Sequence, residues 1–339
     1  MIDKDLIRRR ALQLIAADGR NVASRLGVEL GLSRQVANGH LKALVRAGQV
    51  EGEGSTRARV YRLATLARAA RTYPREGLRE DAVWRELVLP AVSAEAANVR
   101  DIWHYGITEM VNNAIDHSGS ADVHVGVRRN AVHTDAWVAD DGVGIFHKLH
   151  QAFGFDDPRD AILELAKGKL TTDPERHTGE GIFFTAKMFD GFDIRSGDLR
   201  FGHDADGLEA PDRPPAAPGT LVLMRLANDS PCTSKVIFDA FAAPEEYTFS
   251  KTIVPVRLAQ YEGEKLVSRS QAKRLTVRFD RFRHVELDFT GVVDIGRAFA
   301  DELFRVFAQE HPQVQLIPIN PSPAVRQMVN RALAAAQER

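Results

Sequence analysis

In the stretch "ITEMVNNAIDHS", residues 107–118, Glu109 and Asn113 stand four positions apart. That spacing puts both side chains on one side of a helix. A carboxylate there can polarise a water molecule, and an amide oxygen beside it can ligate a hard cation such as Mg²⁺. Ile107, Met110, Val111, Ala114 and Ile115 recur at helical spacing. They predict a buried face, leaving a polar flank with Glu109, Asn112, Asn113 and Asp116.

Three further signals follow in order. "WVADDGVGIF" places Asp140 at the end of an apolar, strand-like run, with Gly142 and Gly144 after it. "HTGEGIFFTAKMF" sets Gly179 and Gly181 at the opening of a helix, and "PGTLVLMRL" sets Thr220 at the start of a strand. An aspartate at a strand end can accept a hydrogen bond from an adenine amino group. Glycines permit close backbone approach, and the first N–H groups of a helix can receive phosphate oxygens. Any one of these is weak, since a Gly-x-Gly is most often an ordinary turn. Their order and contents together predict a nucleotide site.

Residues from about 95 to 226 resemble the GHKL-type ATPase domain, the family of gyrase, the large heat-shock chaperone, histidine kinases and MutL. Its E-x-x-x-N box matches Glu109 and Asn113, its D-x-G-x-G box Asp140, Gly142 and Gly144, and its G-x-G box Gly179 and Gly181. The resemblance implies an α/β sandwich, the Bergerat fold, that takes ATP and Mg²⁺ as cofactors. It would make Glu109 the general base for water, Asn113 the Mg²⁺ ligand, Asp140 the adenine reader and Thr220 a second adenine-side contact. Gly179 and Gly181 would form the phosphate loop. The segment between Gly144 and Gly179 would be the ATP lid, in which Lys167 and Lys169 flank Gly168. Either lysine is placed to swing onto the terminal phosphates when the lid closes, with plain surface solvation as the blander reading, and Lys169 is the candidate for that role. Asn112, Asp116 and His117 are either a second layer around the metal or plain neighbours. The motif G-x-x-x-x-G-K-[ST] is absent, which excludes a P-loop enzyme.

Other elements must surround such a site. Residues 1–72 carry 14 Lys and Arg against 6 Asp and Glu, net +8, which leaves 31 against 40, net −9, for the rest. A basic front end on an acidic body suits a nucleic-acid-binding module. Residues 3–17 read as a helix. "NVASRLGVELGLSRQVANGHLKALVRAG" then reads as helix, turn at Gly31-Leu32-Ser33, and a longer helix capped by Ser33 and ending at Gly48. "QVEGEGSTRARVYRL" follows as two short strands. The segment resembles a winged helix-turn-helix over residues 1–65. On its second helix Val36, His40, Leu41, Leu44 and Val45 form the expected buried stripe, and Arg34, Asn38 and Lys42 share another face with Gln35 beside them. Those four would read base edges, while Arg57 and Arg59 in the wing would touch phosphates. A solvated basic face on a protein-interaction domain is the blander reading.

Residues 66–94 read as a linker and leading helix, 95–228 as the ATP-binding domain, and 203–219 as a Pro-rich surface loop expected to be mobile. From 247 to 339, "HVELDFTG", "GRAFADELFRVFAQEHP", "QVQLIPIN" and "SPAVRQMVNRALAAA" alternate strand and helix. This βαβα order predicts parallel strands. It resembles the STAS domain of anti-anti-sigma factors, with one departure. Where those proteins carry a phosphorylatable serine, this chain reads Asp294-Ile295-Gly296, so Thr290 is the remaining acceptor candidate.

The 339 residues, 44% of them apolar, suffice for roughly two to three domains, giving an α/β multidomain chain. Cys232 is the only cysteine, which excludes an intramolecular disulfide and a Cys-based zinc cluster. No apolar run approaches the ~18 residues of a membrane span, and the N-terminus lacks a signal-peptide segment, so the expectation is no membrane and a cytoplasmic location. The reading is an ATP-binding, slowly hydrolysing transcriptional regulator. DNA is its expected partner through the winged helix, with a protein partner through the STAS-like domain and a homodimer left open. The alternative is a protein serine/threonine kinase of the anti-sigma type. A histidine kinase proper fits poorly, because residues 66–94 offer no convincing dimerisation helix carrying a phosphoacceptor; His104 reads as a helix-packed structural residue, and a gyrase-type machine lacks its transducer and cleavage partner.

Overall fold

The computed structural model describes residues 3–55, 59–173, 178–242, 249–261 and 264–337, which form two compact units. The first draws its described residues from 1–142, 189–195 and 202–232, and the second from 143–188, 196–201 and 233–339.

The first unit begins with α1 (Lys4–Ala17), α2 (Val22–Leu30) and α3 (Arg34–Arg46), followed by an antiparallel hairpin of β1 (Val50–Glu53) and β2 (Val60–Leu63). The Asp3 carboxylate accepts the N–H of Asp5 at 3.1 Å to open α1, and the Ser33 hydroxyl accepts that of Val36 at 3.3 Å to open α3. α2 stops at Gly31, whose φ of 63° no β-branched residue would adopt readily. Ile7, Leu12, Leu26, Ala37, Leu41, Leu44, Val50 and Tyr61 make the core. Val36 departs from expectation. It is 45% exposed, because the inward line of α3 runs through Ala37, Leu41 and Leu44 instead.

Six strands then form one sheet: β3 (Ala67–Pro74), β4 (Asp122–Arg129), β5 (His133–Asp140), β6 (Gly191–Ser196), β7 (Leu199–His203) and β8 (Thr220–Ala227), in the order β3-β4-β5-β8-β6-β7. β3 corrects the linker reading of 66–94. Ala-Arg-Ala-Ala-Arg has neither alternation nor strand propensity, and it is strand because all eight residues pair antiparallel with β4. A helical stretch follows, α4 (Glu80–Val83), a π-helical segment at Trp84–Val88 and α5 (Leu89–Val92). The long α6 (Ala97–His117) buries Ile102, Trp103, Ile107, Met110 and Val111 and packs on β4 and β5. His104 is exposed on α6, its ring 5.0 Å from that of Trp84.

The Pro-rich loop before β8 is anchored rather than loose. Leu208 and Ala210 pack, together with Trp137, against the cluster of Ala139, Leu221 and Leu223 of the sheet. Glu209 accepts from Arg128 at 2.6 Å, and Asp212 from Arg68 at 3.2 Å.

The second unit contains α7 (Ile145–Phe153), α8 (Asp160–Lys167), α9 (Gly181–Met188), α10 (Ser234–Phe241) and a parallel sheet of β9 (Lys251–Pro255), β10 (His284–Asp288) and β11 (Gln315–Ile319) with β10 in the centre. α11 (Arg269–Thr276) joins β9 to β10. α12 (Arg297–Asp301), a π-helical segment at Glu302–Phe307 and α13 (Ala308–Glu310) join β10 to β11, and α14 (Pro323–Gln337) closes the chain. The alternation expected from "HVELDFTG" onward is present, preceded by a third strand, β9, that a five-residue "KTIVP" does not announce. Phe183, Phe184, Phe241 and Phe249 meet in one ring cluster, with Phe183 and Phe249 4.7 Å apart between centroids. Residues 143–188, including the expected lid, therefore belong to the same compact unit as the parallel sheet. No helix among the described residues is long and apolar enough to cross a membrane.

Candidate functional site

In the first unit Glu109 and Asn113 lie one turn apart on α6, both half-buried. β5 carries Asp140 at its end, where the carboxylate is 5% exposed and accepts the N–H of Gly142 at 2.9 Å and the backbone N–H of Thr220. Thr220 is the register partner of Asp140 across β5 and β8. Burial pushes the Asp140 carboxyl up to about 6, although the Gly142 and Thr220 amides pull it down.

Gly142 is required by space. A Cβ there would sit 2.1 Å from the carbonyl oxygen of Ser118, so the turn after β5 is pressed onto the end of α6. Ser120 accepts the N–H of Asp141 at 3.3 Å, and the Asp141 carboxylate accepts that of Ala216 at 2.6 Å. Ser118, Ser120 and Asp141, which fix the turn, were not singled out from sequence. The only hint of them was polar residues flanking recognised motifs.

The remaining expected residues lie in the second unit. Gly144, with φ of 78°, precedes α7. Gly179, with φ of 72°, is packed so closely that a Cβ would come within 2.5 Å of the Leu170 backbone, and its carbonyl accepts the Leu170 N–H at 3.2 Å. Gly181 is the first residue of α9. Lys167 is fully buried, ion-paired with Glu164 and donating to the Val277 carbonyl at 2.9 Å. Desolvation lowers its ammonium to about 8, against the pull of Glu164. Arg278 reaches the other oxygen of Glu164 at 2.9 Å. Lys169 is half-buried and donates to the Arg281 carbonyl at 3.1 Å.

On α3, Arg34, Gln35 and Lys42 are exposed and Asn38 is half-buried, flanking the buried line of Ala37, Leu41 and Leu44. Arg59 is half-buried. Its guanidinium lies 5.4 Å from the Tyr61 ring centroid and against Gly52, where the missing side chain makes room. Arg57 lies outside the described residues.

At the end of β10, Thr290 donates its hydroxyl to Asp288 at 2.7 Å, and Asn320 donates to the same oxygen at 3.1 Å. Burial of Asp288 is outweighed by these bonds and by the charge of Arg257, so its carboxyl lies below the usual range.

A three-helix module with a hairpin and exposed polar side chains on its third helix, joined in one chain to a parallel α/β domain, defines an α/β multidomain protein. Comparison with known families agrees at both ends. Residues 4–51 match the model for winged helix-turn-helix DNA-binding domains. Residues 271–326 match that for a STAS-like domain of unknown function (DUF4325). The N-terminal module is thus a winged helix-turn-helix and the C-terminal one STAS-like, and neither match reaches the segment between them. No curated protein matches the chain.

Proposed function

We propose that the chain is an ATP-binding transcriptional regulator in which a GHKL-type module of Bergerat fold controls a winged helix on DNA. The observation that carries the coupling is β5. At its start the turn residues Ala131 and Val132 pack against the winged-helix core, and at its end stands Asp140. A change in how the Asp140 turn is held has only eight residues of strand to cross before it meets the DNA-binding module.

Asp140 accepts from the adenine amino group, with Thr220 beside it, and the glycine at 142 leaves the turn its close packing. Glu109 orients and deprotonates the attacking water. Asn113 would supply an oxygen to Mg²⁺. Among the described residues no group of three or more His, Cys, Asp or Glu could hold a metal alone. When bound, Mg²⁺ offsets charge on the terminal phosphates. Gly144 belongs with Asp140 and Gly142 to the D-x-G-x-G turn of this reading, Gly179 and Gly181 form its phosphate loop, and the N–H groups opening α9 support that role. Lys169 is its lid cation. A protein partner on the STAS-like domain, a homodimer and a cytoplasmic setting complete the proposal.

The test is calorimetric titration of the whole chain with a non-hydrolysable ATP analogue and Mg²⁺, alongside a promoter-fragment shift with and without nucleotide. Saturable binding together with a nucleotide-dependent shift is expected. A chain that binds DNA identically in both conditions would refute the coupling. With γ-labelled ATP, release of inorganic phosphate is expected. Label retained on protein would instead favour the kinase.

A further inference from the structure

Lys169 is held from several directions by the STAS-like domain. Its ammonium donates to the Arg281 carbonyl and lies 5.3 Å from the Phe249 ring centroid and 5.1 Å from that of Phe282. Its own carbonyl accepts from the guanidinium of Arg278, and from that of Arg281 at 3.3 Å. The backbone at Lys169 is left-handed, with φ of 54°, a conformation that persists in a non-glycine residue only when its surroundings over-determine it.

These partners are chemically weak rivals to a phosphate. A carbonyl and two ring faces are neutral, whereas phosphate oxygens are ionised acceptors and form the stronger, charge-assisted bonds. Burial holds the ammonium below the usual lysine range, with Glu180 pulling the other way, as expected of a cation whose surroundings do not fully replace water.

Resting on the ATP reading above, we propose that the Val277–Phe282 turn of the STAS-like domain is an autoinhibitory latch on Lys169, and that this turn and the terminal phosphate of ATP compete for one ammonium. The latch bears on the phosphate segment through the main chain. Leu170, the next residue, donates its N–H to the Gly179 carbonyl, and the two backbones pack so closely that a Cβ at Gly179 would lie 2.5 Å from the Leu170 backbone. Occupancy of the nucleotide site and the state of the STAS-like domain are then linked reciprocally.

The test uses the full chain. Amine labelling read by mass spectrometry reports Lys169 accessibility without nucleotide, and calorimetry reports affinity for the ATP analogue and for ADP. Arg281→Ala alters an exposed side chain and is expected to speed labelling of Lys169. It should tighten the ATP analogue by about fivefold or more while leaving ADP unchanged. Phe282→Leu, which keeps apolar volume but removes a ring face, should act in the same direction. Lys169→Gln should abolish the gain from Arg281→Ala in the double variant. ATP binding unaltered by both Arg281→Ala and Phe282→Leu overturns the latch alone. Absence of ATP binding in the wild type overturns the nucleotide reading and the competition with it.

Discussion

Asp140 and Gly142 are joined by a 2.9 Å hydrogen bond from the glycine N–H to a carboxylate that is almost wholly buried. The bond holds the acid in place without offsetting the cost of its burial. The carboxyl titrates near 6, later than in the unfolded chain. The native state is therefore favoured at low pH, and that advantage is lost as pH rises through about 6, leaving a cost of about 3 kcal/mol at neutral pH. Asp140→Asn should match the wild type near pH 4 and exceed it in thermal stability at pH 7.5, while binding the ATP analogue more weakly. A stability difference that does not change with pH would show that this carboxyl is not the group concerned.

Glu164 accepts from both Lys167 and Arg278 in the interior of the second unit. Glu164→Ala leaves two cations facing each other without a counter-charge and should destabilise that unit by about 3–5 kcal/mol in denaturant unfolding. Lys167→Met should cost less, because Glu164 keeps Arg278. The reverse ranking would contradict this account of the pair.

Along α3 the exposed polar side chains should divide by role. Arg34→Ala and Asn38→Ala are expected to relax sequence preference at individual positions, each by about 1–3 kcal/mol. Lys42→Ala should instead weaken binding to all sequences and reduce the salt slope by about 1. Fluorescence anisotropy on a panel of duplexes at several salt concentrations separates the two. Uniform behaviour of all three variants would place the specific contacts elsewhere.

In the nucleotide reading, Glu109→Ala should retain affinity for the ATP analogue and lose turnover by about 10²–10⁴-fold. Gly181→Val should lose both, because a branched side chain at the start of α9 obstructs the backbone N–H groups. Steady-state phosphate release with calorimetry checks each. Wild-type turnover in the glutamate variant would remove Glu109 as the base.

The winged helix was legible because local signals agree within it: Ser33 caps, Gly31 lies in the turn, and Leu41 and Leu44 keep helical phase, although Ala37 rather than Val36 takes the inward position. The STAS-like alternation was legible for the same reason. What stayed hidden depends on distant partners. β3 is a strand only because β4 lies beside it, and Arg59 lies beside the Tyr61 ring in the space at Gly52. Arg278, which ties Glu164 to the Lys169 carbonyl, is more than a hundred residues from both. Charge and spacing at one position cannot reveal partners so remote in sequence.

The ring cluster of Phe183, Phe184, Phe241 and Phe249 bears on how the chain can be dissected. A fragment ending at Asn228, where the motifs suggest a boundary, would strip Phe183 and Phe184 of Phe241 and Phe249 and show bare aromatic surface to water, a recipe for insolubility. Biochemistry on an isolated middle piece would then report the behaviour of a wound, and only the intact polypeptide offers a fair specimen.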